Sequence, residues 1–130
     1  MPKQKFTPED LQAIHDLAHK WGKIVCRQAF GDQGPGLDVD LTTLEEVAVA
    51  ALRGLVAGTL ETATTQQAAQ LGMHQPCPDC GQDCLVRHEP RKVTTRGGPF
   101  EHTEPVCHCT CCRRDFFPSA SAVEDGRPRL

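Results

Sequence analysis

Apolar residues over the first 72 positions recur at intervals of three and four, the spacing that places them on one face of a helix. Thr7, followed by Pro8 and two acidic residues, is typical of a helix start with threonine as the N-cap. The pattern then predicts one helix that ends near Phe30. Its apolar stripe consists of Leu11, Ile14, Leu17, Ala18, Trp21, Ile24 and Val25.

A second apolar stripe begins after a glycine-rich segment, residues 31–40, that predicts a loop. Thr42 and Glu45 stand three residues apart, which is a capping-box pattern for the start of a second helix. This helix is predicted to reach Leu71, with Gly72 as its stop. Its stripe consists of Leu44, Val47, Ala48, Ala51, Leu52, Leu55, Val56, Ala57 and Leu60.

Two helices of this size bury little apolar surface by themselves. Gly54 and Gly58, four residues apart on the second helix, indicate a close contact with a neighbouring element. We expect this apolar stripe to be covered by the segment of the chain that follows, by a second copy of the chain or by a larger protein. Packing within the chain and packing between chains both stay open at this point.

From Pro76 onward the pattern changes to short strands separated by turns. Strands are predicted over residues 85–89, 91–96 and 100–106, with Gly97-Gly98 as a hairpin turn. Residues 115–118 would close the sheet, with at least one phenylalanine packed against it. The predicted fold class is therefore α+β, an N-terminal helical hairpin followed by a small antiparallel ribbon. The predicted domains are 1–73 (two helices), 74–118 (ribbon) and 119–130 (a disordered tail).

Two C-x-x-C pairs in the ribbon segment carry the strongest chemical signal. A tight turn lets two thiolates three residues apart occupy two corners of a tetrahedron, and a second pair supplies the other two corners. The pairs predict one closed, structural Zn²⁺ site and hence a zinc ribbon. Its predicted ligands are Cys77, Cys80, Cys109 and Cys112.

The remaining four cysteines have other interpretations. Cys26 is expected to be a thiol in the helical core. Cys107 lies two residues before Cys109 on the same strand face, so it is expected to lie next to the metal ligands. An alternative is a second metal, held by Cys84, Cys107 or Cys111 with His108 or His102.

Composition sets the expected compartment. The net charge is −3, with six Lys/Arg against nine Asp/Glu in residues 1–73 and six of each in residues 74–118. The start of the chain has no apolar leader pattern and the chain has no 18-residue apolar run, so we expect no export and no membrane span. Eight cysteines in such a chain indicate reduced thiols and metal ligands, and hence the cytoplasm.

No arrangement of residues in the sequence predicts an active site. His15 and His19 share a helix face but lack the glutamate of a zinc-protease motif, so surface histidines are the expected reading. A dithiol redox enzyme is the other possibility that C-x-x-C raises. The turns and short strands around both pairs argue against it, so we expect no enzyme.

Basic residues in the ribbon segment form a candidate phosphate-contacting surface. The alternative is ordinary solvated strand charge, balanced by Glu89, Glu101 and Glu104. Tyrosine is absent, so no aromatic ladder supports base stacking. The candidate contacts are Arg87, Arg91, Lys92, Arg96, Arg113 and Arg114.

The same segment resembles the N-terminal region of ISKra-type insertion-sequence transposases. The resemblance rests on Cys77-Pro-Asp-Cys80-Gly, the Arg-Lys-Val-Thr-Thr-Arg-Gly-Gly run at 91–98, Cys109-Thr-Cys-Cys112 and Phe116-Phe117-Pro118. It implies a zinc-ribbon, DNA-associated segment of a mobile-element protein, with the four predicted ligands on its metal positions. Those transposases continue into a long catalytic domain, for which this chain has no matching residues. A truncated or split reading frame, or a small subunit that reused the module, would account for the difference.

Two functions follow as hypotheses. The first is a non-catalytic zinc-ribbon module that binds nucleic acid, DNA in preference to RNA, beside a transposition or RNA-guided assembly. The second is a protein-interaction adaptor, whose apolar helices dock on a larger partner while zinc only stabilises the fold.

Overall fold

The computed structural model describes residues 5–119 and the backbone of residues 123–124 and 127–128. Three helices precede a four-stranded antiparallel sheet, which confirms the predicted α+β fold class. The chain divides into two compact units between Ala51 and Leu52, within the third helix. The helices are α1 (Pro8–Lys20), α2 (Gly22–Phe30) and α3 (Leu41–Ala69).

Helix α1 begins as the sequence predicted. The Thr7 hydroxyl accepts a hydrogen bond from the Asp10 backbone N–H at 3.1 Å, and the Asp10 carboxylate accepts one from the Thr7 N–H at 3.0 Å. The expected single helix to Phe30 is divided at Trp21, whose N–H bonds to the Ala18 carbonyl at 3.0 Å, three residues back. Large apolar side chains of α1, α2 and their junction stay more than half exposed: Leu11, Ile14, Leu17, Trp21 and Ile24.

Helix α3 starts one residue before the predicted cap. Asp40 accepts a hydrogen bond from the Thr43 N–H at 2.8 Å, so the expected capping residue Thr42 lies inside the helix. An aspartate immediately before the first helical residue satisfies a free N–H of the first turn. The helix ends at Ala69, two residues before the predicted end at Leu71, and Gly72 follows with a left-handed φ of +69°.

One long hairpin dominates the sheet. Its strands are β1 (His74–Pro76), β2 (Asp83–Thr95), β3 (Gly98–Cys109) and β4 (Arg114–Phe116), in the order β1-β2-β3-β4. The segments predicted at 85–89 and 91–96 are one continuous strand.

The hairpin turn lies one residue earlier than predicted, because Thr95 pairs with Gly98 and leaves Arg96 and Gly97 as the loop. The Thr95 hydroxyl fixes this register, since it donates to the Gly98 carbonyl at 2.9 Å and accepts from the Gly97 N–H at 3.3 Å.

The predicted disorder at 119–130 concerns a segment that is mostly outside the described residues. Its described backbone forms two short strands, β5 (Val123–Glu124) and β6 (Arg127–Pro128), which pair antiparallel.

The part of α3 from Leu52 onward packs on the outer half of the hairpin. Ala57 and Leu60 contact the buried pair Val93 and Phe100, which face each other across β2 and β3. Glu61 accepts a hydrogen bond from the Glu101 backbone N–H at 3.2 Å. The helix therefore covers this face of the sheet and satisfies one N–H at its edge.

Glycines mark where α3 comes close and where it does not. A Cβ on Gly97 would lie 2.6 Å from Val56 Cγ1, so the hairpin turn approaches the helix through this glycine. A Cβ on Gly54 or Gly58 would meet nothing within 4 Å. The close contact that the sequence indicated at Gly54 and Gly58 is therefore not made to any described residue.

Helix α3 is also apolar. Its length and composition would be enough to cross a membrane, with a mean hydropathy of 1.2 over its most apolar window. Core helices of soluble proteins meet the same criterion.

A buried polar cluster lies on the helix-facing side of the hairpin. Arg91 Nε lies 3.0 Å from Glu104 Oε2 in an ion pair, and the Glu104 side chain is 0% exposed. His102, 1% exposed, stands opposite Arg91, and neither ring nitrogen has a hydrogen-bond partner among the described residues. Its ring lies 5.7 Å from that of Phe100.

Candidate metal centre

The two C-x-x-C pairs come together at the end of the sheet that lies away from the hairpin turn. Cys77 and Cys80 lie in the turn between β1 and β2, while Cys109 ends β3 and Cys112 lies in the turn to β4. All four Sγ atoms lie within 4.8 Å of one another. The four cysteines that the spacing predicted as ligands are therefore positioned to hold a metal ion.

The sulfur geometry fits one tetrahedral ion. Four thiolates about 2.3 Å from a zinc-sized cation are about 3.8 Å apart along each edge of the tetrahedron. Each C-x-x-C pair and its turn form one knuckle. Between the two knuckles, Cys77 and Cys112 Sγ are 3.9 Å apart and Cys80 and Cys109 Sγ are 3.5 Å apart. No cysteine needs to move far to close the coordination sphere.

The backbone of each knuckle supports this arrangement. Gly81 adopts φ +78°, and its N–H bonds to the Cys77 carbonyl at 2.9 Å, which closes the first turn. In the second knuckle the Cys112 N–H donates to Cys109 Sγ at 3.4 Å. This bond is the main reason why the pKa of Cys109 is lowered to about 6, because it stabilises the thiolate.

The pKa of the neighbouring thiol shifts in the opposite direction. The hydrogen bond with Cys80, followed by burial, raises the pKa of Cys112 to about 12. Four thiols this close cannot all ionise unless a cation compensates them. The cluster thus has the electrostatic character of a metal site.

Two further cysteines pack behind the ligands. Cys84 and Cys107 form one buried cluster with Cys77 and Cys109, as expected for Cys107. The Cys84 thiol donates to the Gln82 carbonyl at 3.3 Å, and burial raises its pKa to about 11. Among the described residues, no second group of three or more ligands is close enough to share an ion. Cys26 is exposed, not in a core as expected, because α2 has no buried residue.

Apolar and polar contacts hold the two knuckles in place. Phe116 packs against the cysteine cluster, which confirms a phenylalanine on the sheet. Arg114 forms an ion pair with Asp79, and thereby ties the strand after the second knuckle to the first. Gln82 donates to the Thr110 hydroxyl at 3.0 Å, again between the two turns.

The sequence did not predict these contacts between the two knuckles, because none of them follows from residue spacing alone. The pair of His108 Nδ1 with Asp115 Oδ1, 2.8 Å apart, depends on the register of β3 with β4. Asp79 and Arg114 are 35 positions apart, and only the position of both beside the knuckles connects them. His15 and His19 stack on the exposed side of α1, as surface histidines were expected to do.

Three of the six predicted basic contacts form ion pairs. Arg91 is held by Glu104, Arg114 by Asp79, and Arg87 lies 3.7 Å from Glu89. The other three are exposed and form no ion pair with a described residue: Lys92, Arg96 and Arg113.

Compared with protein-family models, curated proteins and solved structures, the chain gives no significant match in any of the three.

Proposed function

We propose that the four cysteines bind one Zn²⁺ and that this ion stabilises a non-catalytic module that binds nucleic acid. The support for zinc is the donor set, since four thiolates at tetrahedral spacing suit Zn²⁺ and leave no position for water or substrate. The function of the metal is then to fix the sheet end from which the hairpin projects.

The observation that carries nucleic-acid binding is the free basic charge on the hairpin. Lys92 and Arg96 are exposed and free of ion pairs with described residues. Val93 faces α3, so its neighbour Lys92 projects from the opposite side of the strand. Arg96 lies in the two-residue loop at the tip.

The shape of the hairpin suits duplex DNA. Ten residue pairs, from Val86–Cys107 to Thr95–Gly98, form a two-stranded ribbon. A two-stranded β-ribbon fits the major groove, and basic side chains along it contact phosphates. We therefore propose DNA as the ligand in preference to RNA, whose major groove is deep and narrow. The resemblance to the transposase N-terminal region supports the same ligand.

A salt series tests this function. Binding of the zinc-loaded chain to labelled duplex DNA, single-stranded DNA and RNA is measured by fluorescence anisotropy. Each lost phosphate contact reduces the slope of log K against log salt by about 1. The triple variant Lys92→Gln, Arg96→Gln, Arg113→Gln is therefore expected to reduce the slope by about 3 and weaken DNA binding.

A matched variant controls for net charge. Lys5→Gln, Lys20→Gln and Lys23→Gln remove three exposed lysines outside the ribbon. This variant should bind like the parent chain. Equal losses in both triple variants, or no binding at low salt, would refute the proposed interface.

A second function is favoured by a separate observation. The exposed stripe on α1 and α2 suits an adaptor that docks on a larger protein. Absence of nucleic-acid binding together with stable capture of one defined partner that Leu17→Asp abolishes would favour this function instead.

A further inference from the structure

The outer face of α3 is an uncovered surface with an unusual composition. A groove of about 570 Å³ runs along it, lined chiefly by Gly54, Leu55, Gly58, Thr59, Thr62 and Ala63. Leu55 in the groove is 50% exposed, and Leu52, three residues earlier in the helix, is 54% exposed. The opposite face of the same helix packs on the hairpin through Ala57 and Leu60.

No contact with the described residues explains the two glycines. Glycine weakens the interior of a helix relative to alanine. A Cβ at either position would meet nothing within 4 Å, whereas a Cβ at Gly97 would meet Val56. The structure therefore accounts for Gly97 but leaves Gly54 and Gly58 without a neighbour that needs their missing side chains.

We infer that α3 pairs with α3 of a second copy of this chain, with Gly54 and Gly58 at the centre of the contact. Two helices approach most closely where neither carries a side chain. The groove is lined by uncharged residues, so two copies meet there without repulsion between like charges. An uncharged face offers nothing to phosphates, so this surface is distinct from the proposed nucleic-acid interface.

The area of the face supports this occupant. A 29-residue helix is about 44 Å long. One third of the circumference along that length exposes roughly 600 Å², which matches the contribution of each partner to the smaller specific interfaces. The contact must therefore run along most of α3, which predicts a small crossing angle rather than a steep one.

A lipid bilayer around α3 is the alternative to a second copy, and it conflicts with the packing of α3 on the hairpin. A spanning helix has apolar surroundings on all sides, unless other membrane segments cover it. Here one side of α3 lies on a hairpin whose Glu101 N–H bonds to Glu61. The same hairpin carries the Arg91–Glu104 ion pair. A protein surface is thus the better match for the outer face.

The test is the mass of the full, zinc-loaded chain by sedimentation velocity over a concentration series. We expect a species of twice 14.2 kDa at high concentration. Gly58→Leu should raise the dimer dissociation constant at least about tenfold. Gly58→Ala is the more specific probe, because alanine should increase helical circular dichroism while it weakens the dimer.

Gly22→Ala is the matched control. Gly22 also lies in a helix with nothing within 4 Å of its Cβ position, but it is in α2. It should leave the dimer constant unchanged. A monomer at all concentrations, or a dimer that Gly58→Leu and Gly58→Ala do not weaken, would overturn the inference. Monomers that float with neutral phosphatidylcholine vesicles would overturn it in favour of a membrane surface.

Discussion

His102 is a buried histidine whose ring nitrogens have no hydrogen-bond partner among the described residues. Its side chain lies beside Phe100 on the helix-facing side of the hairpin and is buried. Desolvation by burial lowers its pKa, and the nearby Arg91 acts in the same direction while Glu104 opposes it. The imidazole is therefore neutral in the folded chain at neutral pH. On the neighbouring helix α3, the Glu61 carboxylate accepts a hydrogen bond from the Glu101 N–H.

This position predicts a loss of stability in acid. The unfolded chain takes up the His102 proton near pH 6.5, while the folded chain resists it. The stabilising contribution is therefore complete above about pH 6.5 and decreases as the pH falls through the lowered folded pKa. We expect His102→Leu to unfold in urea with a flatter pH dependence than the parent between pH 7.5 and pH 5. Parallel curves for the two chains would contradict this assignment.

The Arg91–Glu104 pair gives a second prediction for single residues. Arg91→Met removes the ion-pair partner of a carboxylate that is 0% exposed. Loss of one partner of a buried pair is costly, and partial exposure of Arg91 lowers the effect to about 2–3 kcal/mol. The double variant Arg91→Met, Glu104→Gln should recover part of that loss in urea unfolding. Additive losses would show that the two residues act independently.

At the scale of elements, the contact between the hairpin turn and α3 depends on Gly97. An added Cβ would lie 2.6 Å from Val56 Cγ1 and 2.7 Å from Cγ2. We expect Gly97→Ala to destabilise the chain by about 1–3 kcal/mol through overpacking. Val56→Ala removes the clashing methyl groups, so the double variant should be more stable than Gly97→Ala alone. A neutral Gly97→Ala in thermal unfolding would contradict the packing described.

Local patterns predicted the elements well where the cause is local. The helix start at Thr7 depends on one or two neighbouring residues and is confirmed, and α3 ends at Ala69, two residues before its predicted end. Spacing alone does not show that the first predicted helix breaks at Trp21. It also does not show that Asp40, and not Thr42, caps α3. The hairpin turn lies one residue earlier than predicted because the Thr95 hydroxyl bonds to the Gly97 N–H and the Gly98 carbonyl.

At the candidate site, too, local spacing predicts some residues and does not predict others. Its four ligands follow from spacing, because two knuckles require only a tight turn each. The partners of Arg91 and Arg114 come from strands and turns distant in sequence, and strand alternation alone does not identify them. Two of the six basic residues proposed for phosphate contact, Arg91 and Arg114, therefore form ion pairs that no local pattern indicates.

For the whole molecule, the metal should decide the folding of the second unit and not of the first. Helices α1 and α2 contain no ligand, and α1 has a complete capping box. At the candidate metal end of the sheet, the buried cluster consists of four cysteines: Cys77, Cys84, Cys107 and Cys109. Metal binding is therefore expected to supply much of its folding free energy.

Cys80→Ser tests that dependence. We expect the variant to lose the sheet, seen as loss of amide protection in residues 74–116, while α1 and α2 retain their helical signal. Cys26→Ser, which changes a thiol outside the cluster, should behave like the parent. Loss of all helical signal in Cys80→Ser would show instead that the chain folds as one cooperative unit.

The central claim is that Cys77, Cys80, Cys109 and Cys112 hold one zinc ion, and X-ray absorption at the zinc edge tests it most directly. The account predicts one zinc per chain with four sulfur neighbours at about 2.3 Å. It predicts three sulfur neighbours, or no bound zinc, in Cys109→Ser, and four in Cys84→Ser. A chain purified without zinc, or a parent and Cys109→Ser with the same spectrum, would contradict it.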